Sequence, residues 1–258
     1  MSVAAPVPVS ALVLTRNNAS IIQRCLRSLS FADEIVVIDA ESVDDTAGIA
    51  RSLGARVVAN AWPGFAAQRR FALAQVQQEW VFMCDSDEEV SPELAREIVA
   101  VVAASSAREA HAGYRVRRRN QFLGRWMDVG PWARDTQLRL FRKDAARVAD
   151  ASVHESVAVD GRVESLAGPL YHYAHPTIAD SVQRLNRYTS LQATDRAGRR
   201  RIRALDPLVL PWGTFVRYYF VKGCWRAGVE GFLLAAITAM YRCVLYVKIR
   251  SIQQAVTR

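Results

Sequence analysis

The chain has 258 residues, enough for one large α/β domain or a domain with an appendage, and its 51% hydrophobic content excludes a disordered protein. Its formal charge of +9 belongs to the C-terminal third: from Ser181 onward 14 Lys and Arg face three Asp and Glu, which leaves −2 for the first 180 residues. Cys25, Cys84, Cys224 and Cys243 form no Cys-x-x-Cys pair, which argues against a zinc ribbon or dithiol motif and suits reduced thiols in a cytosolic protein.

In chain order, Val9 to Thr15 reads as a buried strand. No basic segment precedes it, so no signal peptide is expected. Arg16-Asn17-Asn18 breaks the strand, and Asn18 is placed to cap a helix from about Ala19 to Leu29. Glu34 to Asp39 is a second buried strand, followed by a loop and a helix over about Asp45 to Leu53, with Gly54 at its C′ position. Arg56 to Ala59 is a third strand, and a helix from about Phe65 to Val76 follows Pro63-Gly64. The fourth strand, Trp80-Val81-Phe82-Met83-Cys84, runs into Asp85-Ser86-Asp87-Glu88-Glu89. This β-α-β-α-β-α-β pattern predicts a parallel sheet with right-handed crossovers, whose ligands gather outside the carboxyl ends of the strands.

Asp85 and Asp87 stand two residues apart, so in extended chain both carboxylates point to one side. Two hard oxygen ligands make half a site for Mg²⁺ or Mn²⁺ and leave positions for phosphate oxygens. The bland alternative is a solvated acidic turn, with Ser91 as N-cap and Pro92 at N1 of the next helix. Neither G-x-G-x-x-G nor G-x-x-x-x-G-K-[ST] occurs, so phosphates require something other than a glycine-rich loop.

Pro92 to Ala104 reads as a helix and Gly113 to Arg118 as a half-exposed strand. Asn120 to Arg134, rich in Trp, Gly and Pro, reads as a long irregular segment. Thr136 to Arg142 alternates as a strand; Val153 to Val157 and Leu170 to Tyr173 are short strands carrying His154 and His172. Ile178 to Thr194 is helical and leads into a basic run over Arg196 to Arg203. Beyond it, aromatic and apolar stretches culminate in Phe232 to Tyr241, interrupted by Arg242. That run is shorter than the roughly 20 apolar residues of a bilayer span. With Trp212, Tyr218, Tyr219, Trp225 and the basic Lys222, Arg226, Arg242, Lys248 and Arg250 around it, it suits a helix lying in a membrane interface. The alternative is a helix packed back on its own domain.

Several stretches together carry a resemblance: Leu14-Thr15-Arg16-Asn17, Ala32 to Asp39, Asp44-Asp45-Thr46, Trp62 to Gln68, Asp85-Ser86-Asp87-Glu88, Gln137 to Arg142 and Val153-His154-Glu155. In this order they resemble the family 2 glycosyltransferases of GT-A fold, and among them the bacterial lipopolysaccharide core β-1,4-glucosyltransferases. The resemblance implies an α/β, Rossmann-like GT-A domain over residues 1–175 and a helical, basic and apolar membrane-associating extension over 176–258. It also implies an inverting transfer of a hexose, glucose from UDP-glucose, to a lipid-linked saccharide of the lipopolysaccharide inner core, at the cytoplasmic face of the inner membrane. The family usually has an acid where Asn17 stands, Gly at Glu41, and Lys-Asn at Arg69-Arg70.

On this reading Thr15, Arg16, Asp39, Asp44, Gln68, Arg69 and Asp85 bind the donor, with the Asp39 carboxylate accepting the imide N–H of uracil. Asp85, Asp87 and His154 are the candidate ligands of Mg²⁺ or Mn²⁺. His172 is an alternative to His154, and either histidine is also compatible with a structural role. Glu155 is the preferred general base, with Asp135 as the other candidate. Expected partners are a UDP-sugar, a lipid-linked saccharide and an anionic membrane surface, and no nucleic acid. Competing readings are a polyprenyl-linked glycan, peptide or protein as acceptor, a sugar-phosphate nucleotidyltransferase, and a non-catalytic nucleotide-sugar or nucleic-acid binder. The second lacks its glycine- and basic-rich loop after strand one, and the apolar tail suits lipid better than stacked bases.

Overall fold

A computed structural model describes residues 6–104, 111–148, 157–198 and 202–256. By its contacts the chain divides into two units, Met1–Arg118 with Thr136–His172, and Arg119–Asp135 with Tyr173–Arg258. Residues 119–135, which the sequence-based division places before residue 175, fall in the second unit.

The first unit begins with β1 (Val7–Thr15), α1 (Ile22–Ser28), β2 (Ala32–Asp39), α2 (Thr46–Ser52), β3 (Arg56–Ala59), α3 (Phe65–Gln75) and β4 (Trp80–Asp85). Strands β3, β2, β1 and β4 lie side by side in that order, all parallel. Alternation then builds both layers of core. Val9, Ala11, Val13, Trp80, Phe82 and Cys84 face α1, while Leu12, Val81 and Met83 face α3. Phe82 is fully buried, which contributes about 2–3 kcal/mol of transfer free energy. Gly54, at φ +83°, ends α2 as expected.

The sheet continues beyond β4 with antiparallel pairings. The acidic segment does not stay a turn: Glu88–Val90 is a strand, β5, and then Ser91 Oγ accepts the Leu94 N–H at the start of α4 (Pro92–Ala104). After β6 (Gly113–Phe122) and β7 (Arg125–Met127) come β8 (Thr136–Arg142), β9 (Ala146–Val148), β10 (Val157–Val159) and β11 (Val163–His175). β8 pairs with β4 and β6, β5 pairs with β11, and β9 and β10 form a separate hairpin. The expected short strand at Leu170 is thus part of a 13-residue one. The expected strand at Val153 lies outside the described residues except for Val157.

In the second unit the stretch read as irregular is more ordered than expected. β7 pairs with Asn120–Phe122 through a two-residue turn, and Gly130–Trp132 is a 3-10 turn. Three helices follow: α5 (Ile178–Arg196), α6 (Asp206–Val216) and α7 (Gly228–Val256), with a π-helical turn at Arg217–Val221 and a 3-10 turn at Cys224–Ala227. Phe122, Met127, Cys224, Leu234 and Ala235 form one apolar cluster, and Ala193, Ile202, Leu245, Tyr246 and Ile249 another. A Cβ at Gly231 would stand 1.8 Å from the Cys224 carbonyl oxygen, so only glycine lets α7 begin that close to the preceding turn.

The expectation of a tail too short for a bilayer is corrected. Arg242 interrupts the apolar sequence but not the helix, and Cys224–Ala255 is by length and composition long and apolar enough to cross a membrane. Arg242 and Lys248 are also turned to protein partners. Arg242 Nη1 donates to Thr214 Oγ1 at 2.9 Å. Lys248 Nζ donates to Asn186 O, Asn186 Oδ1, Thr189 Oγ1 and Ser190 Oγ at 2.7–2.9 Å.

Candidate active site

The parallel half of the sheet brings three predicted residues to one edge. Thr15 stands opposite Asp39, and Leu14 opposite Asp85, at the carboxyl ends of β1, β2 and β4. Thr15 is buried, and its Oγ1 has no hydrogen-bond partner. Asp39 is buried too and serves its own loop, accepting from the Ser42 N–H at 3.0 Å and from Ser42 Oγ at 2.5 Å. Gln68, on α3, is fully buried; its Oε1 accepts from Asn60 Nδ2 at 2.7 Å and its Nε2 has no partner. Unpaired buried donors are costly, so Thr15 and Gln68 mark places that a polar ligand would satisfy.

Two loops are tied together at this edge. Asn17 donates its N–H to Ser42 Oγ and accepts the Val43 N–H at 2.8 Å. Asn18 does not cap α1: its side chain donates to Arg16 O and to Ser86 Oγ beyond β4, while its carbonyl accepts from Ile21 and Ile22. The helix therefore starts three residues later than expected. Arg16 itself is exposed. Asp44 accepts from the Ala19 N–H and from the Thr46 N–H and hydroxyl. The Thr46 hydroxyl first, then these amides, hold its carboxyl below the ordinary value against the opposing effect of burial.

Arg139, in the middle of β8, organises the acids. It is 6% exposed, and its Nη2 donates to Asp85 Oδ2 at 2.6 Å and to Glu88 Oε1 at 2.5 Å. Glu88 is fully buried; it also pairs with Arg118 at 3.3 Å and accepts the Asp85 N–H at 3.0 Å. Burial raises the Asp85 pKa and Asp87 adds to that, but Arg139, with Arg118 behind it, outweighs both and leaves the carboxyl below its ordinary value. Asp87 faces His172 Nε2 at 3.5 Å. A cavity of about 250 Å³ is lined by Arg69, Arg115, Gln137 and Arg139 with Met83 and Val157. Arg69 and Arg115 give this cavity a cationic lining that suits an anion such as a diphosphate, while the Arg139 guanidinium is engaged by Asp85 and Glu88.

Among the described residues no three His, Cys, Asp or Glu side chains stand together as a cation cage. Asp85 and Asp87 are partly exposed hard oxygens of the type that ligates Mg²⁺ or Mn²⁺, with Asp85 Oδ2 already on Arg139, His172 beside Asp87, and Ser86-Asp87 in a turn rather than the extended chain expected. His154 and Glu155 lie outside the described residues. Asp135 belongs to the second unit, where Asn120 Nδ2 donates to its Oδ2 at 3.0 Å.

Sequence reading gave Arg139, Glu88 and Arg118 no role. A signal was present: Arg139 is the one charged residue inside the apolar run Leu138-Arg139-Leu140-Phe141. An arginine inside an apolar strand calls for buried acids.

The family model for glycosyl transferase family 2 matches residues 10–158. The chain is 30% identical to the lipopolysaccharide core biosynthesis glycosyltransferase LpsC of Rhizobium meliloti, over 94% of this chain and 92% of that one. It is 29% identical to an uncharacterized glycosyltransferase of Rickettsia typhi, over 95% and 87%. Among solved structures, glucosyl-3-phosphoglycerate synthase of Mycobacterium tuberculosis with phosphoglyceric acid gives a TM-score of 0.49 at 17% identity, over 73% of this chain and 79% of that one. The family match covers more than half the chain and the LpsC likeness nearly all of it, so this protein belongs to the family 2 glycosyltransferases, with their α/β GT-A fold.

Proposed function

We propose that this enzyme transfers a hexose, glucose, from a UDP-sugar to a lipid-linked saccharide of the lipopolysaccharide inner core, with inversion at the anomeric carbon. Residues 1–175 are the catalytic domain and 176–258 the membrane-associating extension, working at the cytoplasmic face of the inner membrane. The observation that carries the reading is the alignment of Thr15, Asp39 and Asp85 on adjacent strand ends, next to the arginine-lined cavity. The acceptor class rests on the name of the Rhizobium relative.

In this mechanism Asp39 accepts the uracil imide proton in a hydrogen bond, which favours uridine over guanosine donors. Arg69 pairs with phosphate oxygens as a planar fork. Asp85 and Asp87 would hold Mg²⁺ or Mn²⁺, whose chemistry is to neutralise charge on the departing diphosphate. The carboxylate of Glu155, or of Asp135 as the alternative, takes the proton of the acceptor hydroxyl as its oxygen attacks the anomeric carbon. The bond to the diphosphate breaks on the opposite face, so configuration inverts and UDP leaves.

A screen of UDP- and GDP-sugars, with and without Mn²⁺, tests this. UDP-glucose should be consumed fastest, and only with the metal, and proton NMR of the product should show a β linkage. Preference for a GDP-sugar, or a retained α linkage, would overturn the proposal.

A further inference from the structure

Helix α6 is turned inside out. Its buried residues include Pro207 and Thr214, whose hydroxyl donates to Leu210 O and accepts from Arg242. Its outward residues are Leu208, Val209, Trp212 and Val216, and Leu205 before it and Phe220 and Val221 after it extend the series. Leu208, Trp212 and Phe220 are 71%, 70% and 60% exposed. The spacing of three and four residues lines these side chains into one stripe along the helix. Single exposed leucines are ordinary, but a continuous apolar stripe marks an interaction surface.

Charge around the stripe selects the partner. Arg203, Arg217, Lys222 and Arg226 are exposed beside it. The two acids between residues 202 and 232 are engaged: Asp206 accepts the Arg203 N–H, and Glu230 pairs with Arg125. A second copy of the chain would bring a second set of cations to the same face, whereas anionic headgroups complement it. Trp212 and Trp225, both exposed, are the residue type that settles at the headgroup level. α7 is the other apolar candidate, but it packs along α5, a helix bearing Arg184, Arg187, Asp195 and Arg196, and Lys248 binds α5 oxygens. A spanning α7 would carry that charged helix into hydrocarbon.

We propose that the outward face of α6 and the turn after it lies in the headgroup–acyl boundary of an anionic bilayer, parallel to its surface, with α7 above it and not across it. This deepens the membrane part of the proposed function and is independent of the sugar transferred.

The test uses the full chain and vesicles of phosphatidylcholine with or without about 30% phosphatidylglycerol, separated by flotation. The wild type should float with the anionic vesicles and far less with the neutral ones. The double substitution Leu208→Glu with Trp212→Glu should cut the bound fraction about ten-fold or more. Its circular dichroism melt and its hydrolysis of UDP-glucose in lipid-free buffer should match the wild type. Trp212→Phe should float normally but lose much of the tryptophan quenching caused by brominated lipids. Equal flotation of the double variant, or unchanged quenching in Trp212→Phe, would overturn the proposal. So would a lipid-free dimer that fails to float, because the stripe would then be a subunit contact. Loss of UDP-sugar hydrolysis by the wild type would strike the proposed reaction and leave the flotation result standing.

Discussion

At the strand edge of the first unit, charge is buried: Glu88 has no exposed side-chain surface and Arg139 almost none. On the outward face of α6 in the second unit, apolar side chains stand in the open. Both reverse the usual partition of residue types, and they are stabilised differently. The buried charges are offset inside the protein, because Arg139 holds Asp85 and Glu88 at once and Arg118 adds to Glu88. The α6 stripe is only partly covered: Trp212 stacks on Phe215 and Phe220 packs edge-on against Tyr219, yet 70% and 60% of their surfaces stay exposed. A reversal that is balanced internally fixes geometry, whereas one left unbalanced asks for a partner.

The largest effect should come from unbalancing the first. Arg139→Met leaves the buried Glu88 with only the longer Arg118 contact as a cationic partner, beside the Asp85 N–H, and should cost about 3–5 kcal/mol in urea unfolding. Replacing both, as Arg139→Met with Glu88→Leu, should recover most of that loss, since no lone charge remains buried. Trp212→Ala, a far larger truncation, should cost about 1 kcal/mol or less, because its side chain is exposed and loses only its stack on Phe215. Equal losses for Arg139→Met and Trp212→Ala would erase the distinction between the two regions.

Asp87→Asn separates function from stability at the same edge. The residue lies just past the end of β4, so the fold should persist. Transfer should fall about 100-fold or more if the carboxylate helps hold the cation that neutralises the leaving diphosphate. Activity of the variant equal to wild type, and insensitive to EDTA, would remove Asp87 from the site and leave it a structural residue facing His172.

Acid should loosen the first region and spare its counterpart. The Asp85 pKa is lowered in the folded state, so its contribution to stability is present above the unfolded value near 4 and is lost as pH falls through the lower folded value. In the second unit Lys248 is held by amide, hydroxyl and backbone oxygens, none of which titrates in that range. Hydrogen exchange between pH 5 and pH 3 should therefore rise at Asp85 and Arg139 before it rises across α5 and α7. The reverse order would mean that the Arg139 pairs are not what holds this edge.

The parallel half of the fold was legible because its strands are unbroken apolar runs ended by turn residues and acids, and alternation also located β6, β8 and part of β11. β5 was not legible, because it exists only through pairing with β11, about 80 residues away, and three acidic or apolar residues carry no period of their own. The start of α1 was misread because Asn18, a good capping residue, spends its side chain on Ser86 instead. Thr15, Asp39 and Asp85 were placed correctly at strand ends, since parallel strands of similar length end at one edge. Arg139 escaped because alternation shows which residues share a face but not which face is core. The same ambiguity hid the reversed faces of α6, where period alone would bury Trp212 and expose Thr214.

The smallest effects lie in two residues held at positive φ, one in each unit. Glu41, at +55°, sits exposed in the loop after β2. A left-handed conformation costs a non-glycine residue about 1–2 kcal/mol. Glycine loses about 0.5–1 kcal/mol more chain entropy on folding. Glu41→Gly should thus stabilise the protein by about 0.5–1 kcal/mol, the difference between these two terms. Leu123, at +50°, makes the tight turn between β6 and β7 with Gly124 beside it. Its side chain packs on the cluster around Phe122 and Met127, and truncation to glycine forfeits that burial, which more than cancels the relief of strain. Leu123→Gly should therefore be neutral or destabilising although its backbone strain matches that of Glu41. Paired thermal melts of the two variants decide it. Parallel stabilisation by both would mean that the turn in the second unit gains nothing from apolar contact, and that backbone strain alone governs each loop.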